Sequence, residues 1–256
     1  MARLSNLPTV VRNVLGALAA QAGLRLRHRK RGYRQLSGRG LEIGALNSPA
    51  KLSARCAIEY CDVLSKEDAL QQFPELKANR FVDVNYVLDL DREGLSYFTD
   101  AEFDFVIMNH VIEHIANPIR VVRDIFRTLK AGGHLVISAP DKTFTYDRDR
   151  PLTSFEHLWS EYEAGVSEIT DEHYLDFLRA VHPATLVDPE GISLHIQHAR
   201  DRREHAHVWN SSTFHAFIQQ TLSQLNINAT CLFKSDGAEN RMEYFAVWQK
   251  HDHPDS

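Results

Sequence analysis

The chain has 256 residues, of which 43% are hydrophobic and 25% are charged, a composition typical of a globular protein with one substantial core. Its three cysteines, Cys56, Cys61 and Cys231, lack C-x-x-C spacing, which argues against a disulfide or zinc framework and for a reducing compartment. No uninterrupted apolar run reaches the roughly 18 residues that a membrane-spanning helix requires.

The formal net charge of −5 is unevenly distributed along the chain. Residues 1–40 contain nine basic residues and no acidic one, whereas the remainder has 20 basic and 34 acidic residues and a formal charge of −14. A body with this excess of acidic groups repels phosphate, so we expect no nucleic-acid partner.

Residues 1–38 are predicted to form a basic amphipathic N-terminal segment that precedes a domain over residues 39–256. Its helix is predicted over residues 8–31, where an apolar stripe is followed by the basic run RLRHRKR. A secretory signal has the reverse order, with the charges first. The helix could lie on an anionic membrane surface, bind a nucleic acid or an acidic partner, or pack on the edge of the domain. We expect a cytoplasmic protein, with peripheral association at the inner face of the membrane as one open alternative.

The first half of the domain alternates short apolar strands with helices. Strands are predicted at residues 41–43, 57–60, 81–88, 105–108 and 135–138, with helices at 66–72 and from Pro118 onward. Asn117 is the predicted N-cap of the second helix, and Gly132-Gly133 is predicted to stop it. A strand, a helix and a strand in this order form a right-handed parallel unit. Ligands of such sheets bind beyond the carboxyl ends of the strands.

The second half begins with an irregular segment rich in charge, histidine and aromatic residues. We predict a helical insertion or lid over residues 141–208, with helices near 154–163 and 170–180. Regular structure is predicted to resume with a helix over 211–225, capped by Ser211 or Ser212. Two closely connected strands at 230–233 and 244–249 indicate a final hairpin, so one of them runs antiparallel.

Polar and glycine residues follow the predicted strands at the places where a ligand would bind. Gly44 would let the backbone approach a ligand closely, Asp62 could accept hydrogen bonds from ribose hydroxyls, and Asp89 could bind the exocyclic amine of adenine. A dinucleotide would need a G-x-G-x-x-G turn opening a full helix, which is missing here. The sequence therefore favours a nucleoside without phosphate, and S-adenosylmethionine is such a nucleoside.

The segments Glu42-x-Gly44, Asp62, FDFVIMNHVIEHI and LKAGGHLVIS resemble the class I S-adenosylmethionine-dependent methyltransferase family over roughly residues 39–140. This resemblance implies an α/β, Rossmann-like fold with a seven-stranded, mostly parallel sheet whose last strand is antiparallel, plus the helical insertion. The usual second glycine of the first turn is replaced by Ala45-Leu46-Asn47. The cofactor-binding residues implied by the resemblance are Glu42, Gly44, Ala45, Asn47, Asp62, Asp89, Asn109 and His110.

A narrower resemblance, to bacterial methyltransferases associated with surface-glycan assembly, extends into the insertion. It implies O-methylation of a sugar, glycan or glycolipid acceptor, with Arg148 and Arg150 as candidates for binding an acidic acceptor group. A small-molecule methyltransferase acting on a natural product or quinone-like compound is the first alternative. A non-catalytic nucleoside-binding or scaffold subunit is the second. The sequence leaves the oligomeric state open.

A sugar hydroxyl is a poor nucleophile, so a general base is expected, and histidine suits neutral pH. His157 is the first candidate because it follows the Asp-Arg-Asp-Arg stretch, and His207 is the second. His205 and His207, together with Glu156 or His157, could instead bind a divalent ion. A histidine-rich loop is also typical of a solvated surface, and we assign no metal from the sequence.

Overall fold

The computed structural model describes residues 27–74, 76 and 80–252. Within them, seven strands form one sheet in the order β3-β2-β1-β4-β5-β7-β6. The strands are β1 (Gly38–Ile43), β2 (Cys56–Asp62), β3 (Tyr86–Val87), β4 (Phe103–Asn109), β5 (Leu129–Pro140), β6 (Ala229–Ser235) and β7 (Glu243–Lys250). Strands β1 to β5 pair in parallel, and β7 runs antiparallel to both of its neighbours. The predicted seven-stranded α/β fold is confirmed.

Helices cover the two faces of the sheet and explain why its central strands are apolar on both sides. Phe105 to Met108 in β4 are completely buried, as their unbroken hydrophobic run predicts. The helices are α1 (Arg27–Tyr33), α2 (Lys66–Gln72), α3 (Pro118–Thr128), α4 (Phe155–Glu163), α5 (Asp171–Val181), α6 (Ile192–Asp201), α7 (Ser211–Gln224) and α8 (Gly237–Asn240). The sequence prediction did not include α6.

Helix α3 begins as the sequence predicts but ends by a different device. The side chain of Asn117 accepts a hydrogen bond from the Arg120 backbone N–H at 3.0 Å, which caps the helix. The helix then ends at Thr128, before Gly132-Gly133, and these glycines lie inside β5 instead. Gly132 has a φ of +74°, a conformation that costs glycine little. The prediction that the two glycines stop the helix was therefore wrong.

The predicted cap of α7 was wrong by one residue. Asn210 caps the helix by accepting from the Thr213 backbone N–H at 2.9 Å, and the Thr213 side chain completes a capping box. The hydroxyl of Ser211 instead donates to Asp141 at 2.7 Å. The predicted third strand is also shorter than expected, because only Tyr86 and Val87 pair with β2.

The insertion builds a small hydrophobic core of its own beside the main one. Its fully or almost fully buried members are Ile169, Tyr174, Phe177, Leu178, Ile196, Ala199 and Ala206, and they pack with Ala116 of the loop that follows β4. Segment 205–209 returns from the insertion towards α7, and the backbone N–H groups of Ala206 and His207 both donate to the Glu113 carbonyl. The insertion is thereby attached to the loop that follows β4.

The described part of the N-terminal segment packs against the end of the sheet. Helix α1 contacts β7, where the Tyr33 and Phe245 rings lie 5.8 Å apart. Residues 8–26 of the predicted amphipathic helix lie outside the described residues. No helix within residues 27–74, 76 and 80–252 is both long and apolar enough to cross a membrane.

Candidate active site

A cavity of about 290 Å³ opens beyond the carboxyl ends of β1, β2 and β4. Its walls combine the turn after β1, the end of β2, the residues after β4 and one loop of the insertion. Its lining residues are Ile43, Gly44, Leu46, Cys61, Asp62, Val63, Leu64, Gln72, Phe73, Leu88, Leu90, His110, Val111, His114, Ile115, Arg202 and Arg203. The cavity is therefore mostly apolar, with a few polar groups that could orient a ligand.

Gly44 shapes the first wall of the cavity, and no other residue fits its position. Its φ is +70°, in the left-handed region that side chains disfavour. A Cβ atom at this position would lie 2.3 Å from Cγ2 of Val111. The backbone N–H of Gly44 donates to the Cys61 carbonyl at 2.9 Å, which ties the turn to β2.

Asp62 ends β2 and lines the cavity. Burial raises the pKa of its carboxyl group, and the backbone N–H groups of Leu64 and Val63 act in the opposite direction. The Leu64 N–H donates to Oδ1 at 3.3 Å. The carboxylate is thus oriented by its own loop, with acceptor capacity left for a ligand.

Glu42 lies next to the cavity but does not line it. Its side chain is 2% exposed, and each carboxyl oxygen lies 3.0 Å from the Ala50 backbone N–H, which donates to the group. Burial raises the pKa of Glu42 to about 7, although the Ala50 N–H and the charge of Arg29 oppose the shift. Glu42 therefore holds together the loop that carries Gly44.

The structure brings three of the eight predicted cofactor residues to the cavity wall: Gly44, Asp62 and His110. Asp89 faces the insertion, where it accepts from Arg203 at 3.1 Å. Asn109 points to the opposite side of β4 and donates to the Tyr33 hydroxyl at 3.0 Å.

Ala45 and Asn47 stabilise the turn after β1 without lining the cavity. The Ala45 carbonyl accepts from the Ser48 backbone N–H at 2.8 Å. Oδ1 of Asn47 accepts from the Ser48 hydroxyl at 3.2 Å. Both contacts fold the segment that replaces the usual second glycine.

A buried carboxylate, Glu243 at the start of β7, connects His110 to helix α1. His110 Nε2 lies 2.6 Å from Glu243 Oε2, and His28 Nε2 lies 2.6 Å from Oε1. Arg29 donates to both oxygens, through Nε at 2.7 Å and through Nη2. Burial would raise the pKa of Glu243, but the charge and hydrogen bonds of Arg29, with those of His110 and His28, hold it well below its usual value.

The bond to this ionised carboxylate determines which nitrogen of His110 is free. An ionised carboxylate can only accept, so Nε2 carries the proton of this hydrogen bond and Nδ1 is the nitrogen left for another partner. The nearest acidic oxygen to Nδ1, Oε1 of Glu113, is 3.7 Å away, which is beyond hydrogen-bond distance. His110 also has a φ of +54°, and this uncommon backbone conformation turns the residue at the end of β4.

His114 also lines the cavity, and the sequence analysis did not identify it as a site residue. Its Nδ1–H donates to the Arg203 carbonyl at 2.5 Å, and burial lowers its pKa to about 3. Beside it, burial raises the pKa of Glu113 to about 7, and neither Glu113 side-chain oxygen has a hydrogen-bond partner. Arg203 could not be identified from the sequence, because it reaches the cavity from the far end of the insertion.

The predicted base and acceptor residues lie in the insertion, away from the cavity lining. His207 is 1% exposed, and burial, with the nearby rings of His173 and His157, lowers its pKa well below the usual value. Arg150 is also 1% exposed, and it donates to Asp147, Asp176 and the carbonyls of residues 205 and 206. Arg148 is exposed on the surface of the insertion. The donors of Arg150 are thus used within the insertion.

A family model described as a methyltransferase domain matches residues 18–221, which is more than three quarters of the chain. The chain belongs to this methyltransferase-domain family. A probable S-adenosylmethionine-dependent methyltransferase of Mycolicibacterium smegmatis is 40% identical over 57 residues, which is 22% of each chain. One from Mycobacterium tuberculosis is 33% identical over 78 residues, covering 30% of this chain and 28% of the relative. The chain thus spans less than a third of the length of these curated relatives.

Solved structures of low sequence identity also resemble the methyltransferase domain. One is a SAM-dependent methyltransferase from Aquifex aeolicus, at 12% identity and a TM-score of 0.43, with 89% of each chain covered. Another is the methyltransferase CalH in complex with SAH, at 14% identity and a TM-score of 0.43, with 89% of this chain and 54% of CalH covered.

The raised pKa of Glu42 predicts how the stability of the methyltransferase domain depends on pH. The folded protein keeps the Glu42 proton up to about pH 7, whereas the unfolded chain loses it near 4.5. The stabilisation from this group is therefore complete below the unfolded value and is lost as the pH rises through the folded value. When the pH rises from 5 to 8, the unfolding free energy of wild type should therefore fall by roughly 3 kcal/mol more than that of Glu42→Gln.

Urea denaturation of both proteins at several pH values measures this difference. The exposed Glu67→Gln variant is the control, since its difference from wild type should stay constant with pH. A constant difference for Glu42→Gln as well would contradict the assignment of a protonated Glu42.

Proposed function

We propose that this protein is an S-adenosylmethionine-dependent methyltransferase that acts on an oxygen acceptor. The observation that carries the proposal is the wall formed by Gly44 and Asp62 at the carboxyl edge of a parallel sheet. There a ligand could approach the backbone closely, because Gly44 lines the cavity without a side chain. The turn leads into no full helix whose N-terminus could hold a pyrophosphate, which favours a nucleoside without phosphate.

The residues of the cavity fit the parts of this ligand. Asp62 would accept hydrogen bonds from the ribose hydroxyls, since its carboxylate lines the cavity at the end of β2. Leu88, Leu90 and Phe73 would enclose the adenine with apolar side chains. Gly44 and the turn that Glu42 supports would border the methionine part. Asp89, which does not line the cavity, would lie near the adenine through Arg203, a lining residue that donates to it.

We further propose His110 as the general base, in place of the first candidates His157 and His207. Of these three residues, His110 alone lines the cavity. Its Nε2–H is donated to an ionised glutamate, which leaves Nδ1 to accept a proton and stabilises the imidazolium that forms.

When bound, S-adenosylmethionine would supply a sulfonium methyl group to the acceptor oxygen, and the C–S bonding electrons would remain on the sulfur of the demethylated product. His110 removes the hydroxyl proton from the acceptor during this transfer. The apolar cavity wall excludes water from the reacting atoms.

Replacement of Asp62 tests the cofactor assignment. Asp62→Asn should weaken binding of S-adenosylmethionine and of its demethylated product by about 10–100-fold, because it removes a charged hydrogen-bond acceptor. Isothermal titration calorimetry measures both affinities, and Glu67→Gln, an exposed neighbour in α2, should bind as wild type does. Equal affinities for Asp62→Asn and wild type would remove Asp62 from the site. No binding by folded wild-type protein would refute the proposed function.

Replacement of His110 tests the base separately from cofactor binding. His110→Gln should lower kcat by about 10²–10⁴-fold, the usual contribution of a general base. Its affinity for S-adenosylmethionine should stay within a few-fold of wild type. Single-turnover rates of His110→Gln and His157→Gln are measured on the same acceptor and compared with the wild-type rate. Normal turnover by His110→Gln together with loss in His157→Gln would return the role to His157.

For the acceptor we propose a sugar, glycan or glycolipid hydroxyl at an anionic membrane surface. Three features support this: the exposed Arg148, the basic residues 8–31, and the resemblance to enzymes of surface-glycan assembly. A lipid-linked acceptor would need the enzyme at the membrane, where arginine contributes about 1 kcal/mol per charge. A freely diffusing small molecule would not require this.

Charge reversal in the N-terminal segment tests the membrane proposal in the full chain. The double variant Arg12→Glu/Arg25→Glu should lose sedimentation with vesicles containing phosphatidylserine and keep its affinity for S-adenosylmethionine. Sedimentation with uncharged phosphatidylcholine vesicles is the control, and wild type should not bind them. Unchanged sedimentation of the double variant would contradict the proposal.

A further inference from the structure

Three segments of the insertion bring four potential metal ligands together outside the cavity lining. Helix α4 contributes His157 and Glu161, α5 contributes His173, and segment 205–209 contributes His207. One ligand atom from each side chain lies within 4.8 Å of all the others. Of the four residues, none lines the candidate active site.

The separations among His157, Glu161 and His173 are close to those of a tetrahedral metal site, and His207 lies within 4.8 Å of all three. His157 Nε2 and His173 Nε2 lie 3.1 Å apart, and Glu161 Oε1 lies 3.2 Å and 3.3 Å from them. His207 Nε2 is 3.8 Å from Glu161 Oε2. Ligand atoms about 2.0–2.1 Å from a tetrahedral ion lie roughly 3.3–3.4 Å from one another.

The most deeply buried members of the group lack the hydrogen bonds that burial normally requires. By normal hydrogen-bond geometry neither ring nitrogen of His207 has a partner, although the side chain is 1% exposed; a backbone group of Ile115 interacts with the ring without meeting that geometry. Oε2 of Glu161 also lacks a partner. Buried polar atoms are nearly always paired, so such a group indicates an ion or another ligand at this position.

Local structure directs the other two side chains towards the same point. His157 and Glu161 are four residues apart in α4, which places them on one helix face. The hydroxyl of Thr170 lies 2.9 Å from Nδ1 of His173. A hydrogen bond at the outer nitrogen orients a ligating imidazole and leaves Nε2 for the metal.

We propose that His157, Glu161, His173 and His207 bind a divalent transition-metal ion, with zinc as the best match. Three imidazoles and one carboxylate suit zinc more than the oxygen-seeking ions magnesium and calcium. Four protein ligands close the coordination sphere, as in structural zinc sites. The ion ties α4, α5 and segment 205–209 together.

The size of the insertion gives this site a physical purpose. The insertion contributes only seven buried apolar residues to its small core, and small cores commonly need a metal or covalent cross-link for stability. The ligands come from α4, α5 and segment 205–209. Linking these three through one ion keeps segment 205–209 in contact with the loop after β4. The site does not depend on the proposed methyl transfer.

Metal content and affinity of the full chain test the proposal. Protein stripped with a chelator should take up one equivalent of zinc from chelator-buffered solution. His157→Gln and His173→Gln should each bind at least about tenfold more weakly, since even outer-shell changes cost metal sites about 10–100-fold. His198→Gln, an exposed histidine in α6 of the same insertion, should bind as wild type does.

A second group, Glu113, His114 and His205, also has ligand atoms within 4.8 Å of one another, so His114→Gln must be compared. Wild-type zinc affinity in His114→Gln together with weaker zinc affinity in His173→Gln supports the proposal. Weaker zinc affinity in His114→Gln together with wild-type affinity in His173→Gln overturns it. No stoichiometric zinc uptake by folded wild type, or equal affinity in His173→Gln and His198→Gln, also overturns it.

Hydrogen exchange followed by mass spectrometry tests the structural role. Zinc should slow exchange over residues 155–181 and 205–209 in wild type and in His198→Gln, but not in His173→Gln. Exchange in the sheet strands of residues 38–62 serves as the internal reference and should not change. Stoichiometric binding without slower exchange in the insertion would overturn the role assigned to the ion.

Discussion

The buried carboxylate of Glu243 is the interaction on which the arrangement of the site depends. This residue begins β7, yet its four polar contacts come from α1 and from the residue after β4. Burying a charge is costly unless it is paired, and removing one partner from such a group typically costs about 3–5 kcal/mol. Helix α1 and the start of β7 are therefore held beside His110, because the buried carboxylate must be paired.

The position of the cavity follows from the strand order. Strand β1 is paired with β2 on one side and with β4 on the other. The chain therefore leaves β1 towards β2 and later returns to the sheet on the other side of β1, as β4. The loops after β1 and β4 diverge at this point, and the crevice between them is where open parallel sheets bind ligands. Gly44 and Val111 meet across that crevice, which is why a side chain at Gly44 cannot be accommodated.

The insertion uses polar contacts where the main sheet uses apolar packing. Arg150 joins Asp147, Asp176 and two carbonyls, and one of these carbonyls, that of Ala206, directly precedes the proposed metal ligand His207. His205 connects the first group to the site through its Nδ1 contact with Asp147 at 2.6 Å and its ring contact with His114. The insertion therefore holds its shape partly through a few hydrogen bonds and ion pairs between polar side chains. That explains how it can place Arg203 at the cavity from a distant point in the chain.

The sequence by itself determined the features that depend on local patterns. The apolar run of β4, the Asn117 cap, the glycine turn after β1 and the final hairpin all follow from neighbouring residues, and together with the family resemblance they predicted the fold and the cavity edge. Only the tertiary structure decided which polar side chains meet. Asn109 bonds to Tyr33, Arg150 is buried, and Arg203 reaches the site, because each depends on partners far away in the chain. Histidine composition alone could not separate His110, beside the cavity, from His157 and His207 in the proposed metal site. Their roles differ through burial and the groups facing each ring, which sequence spacing does not encode.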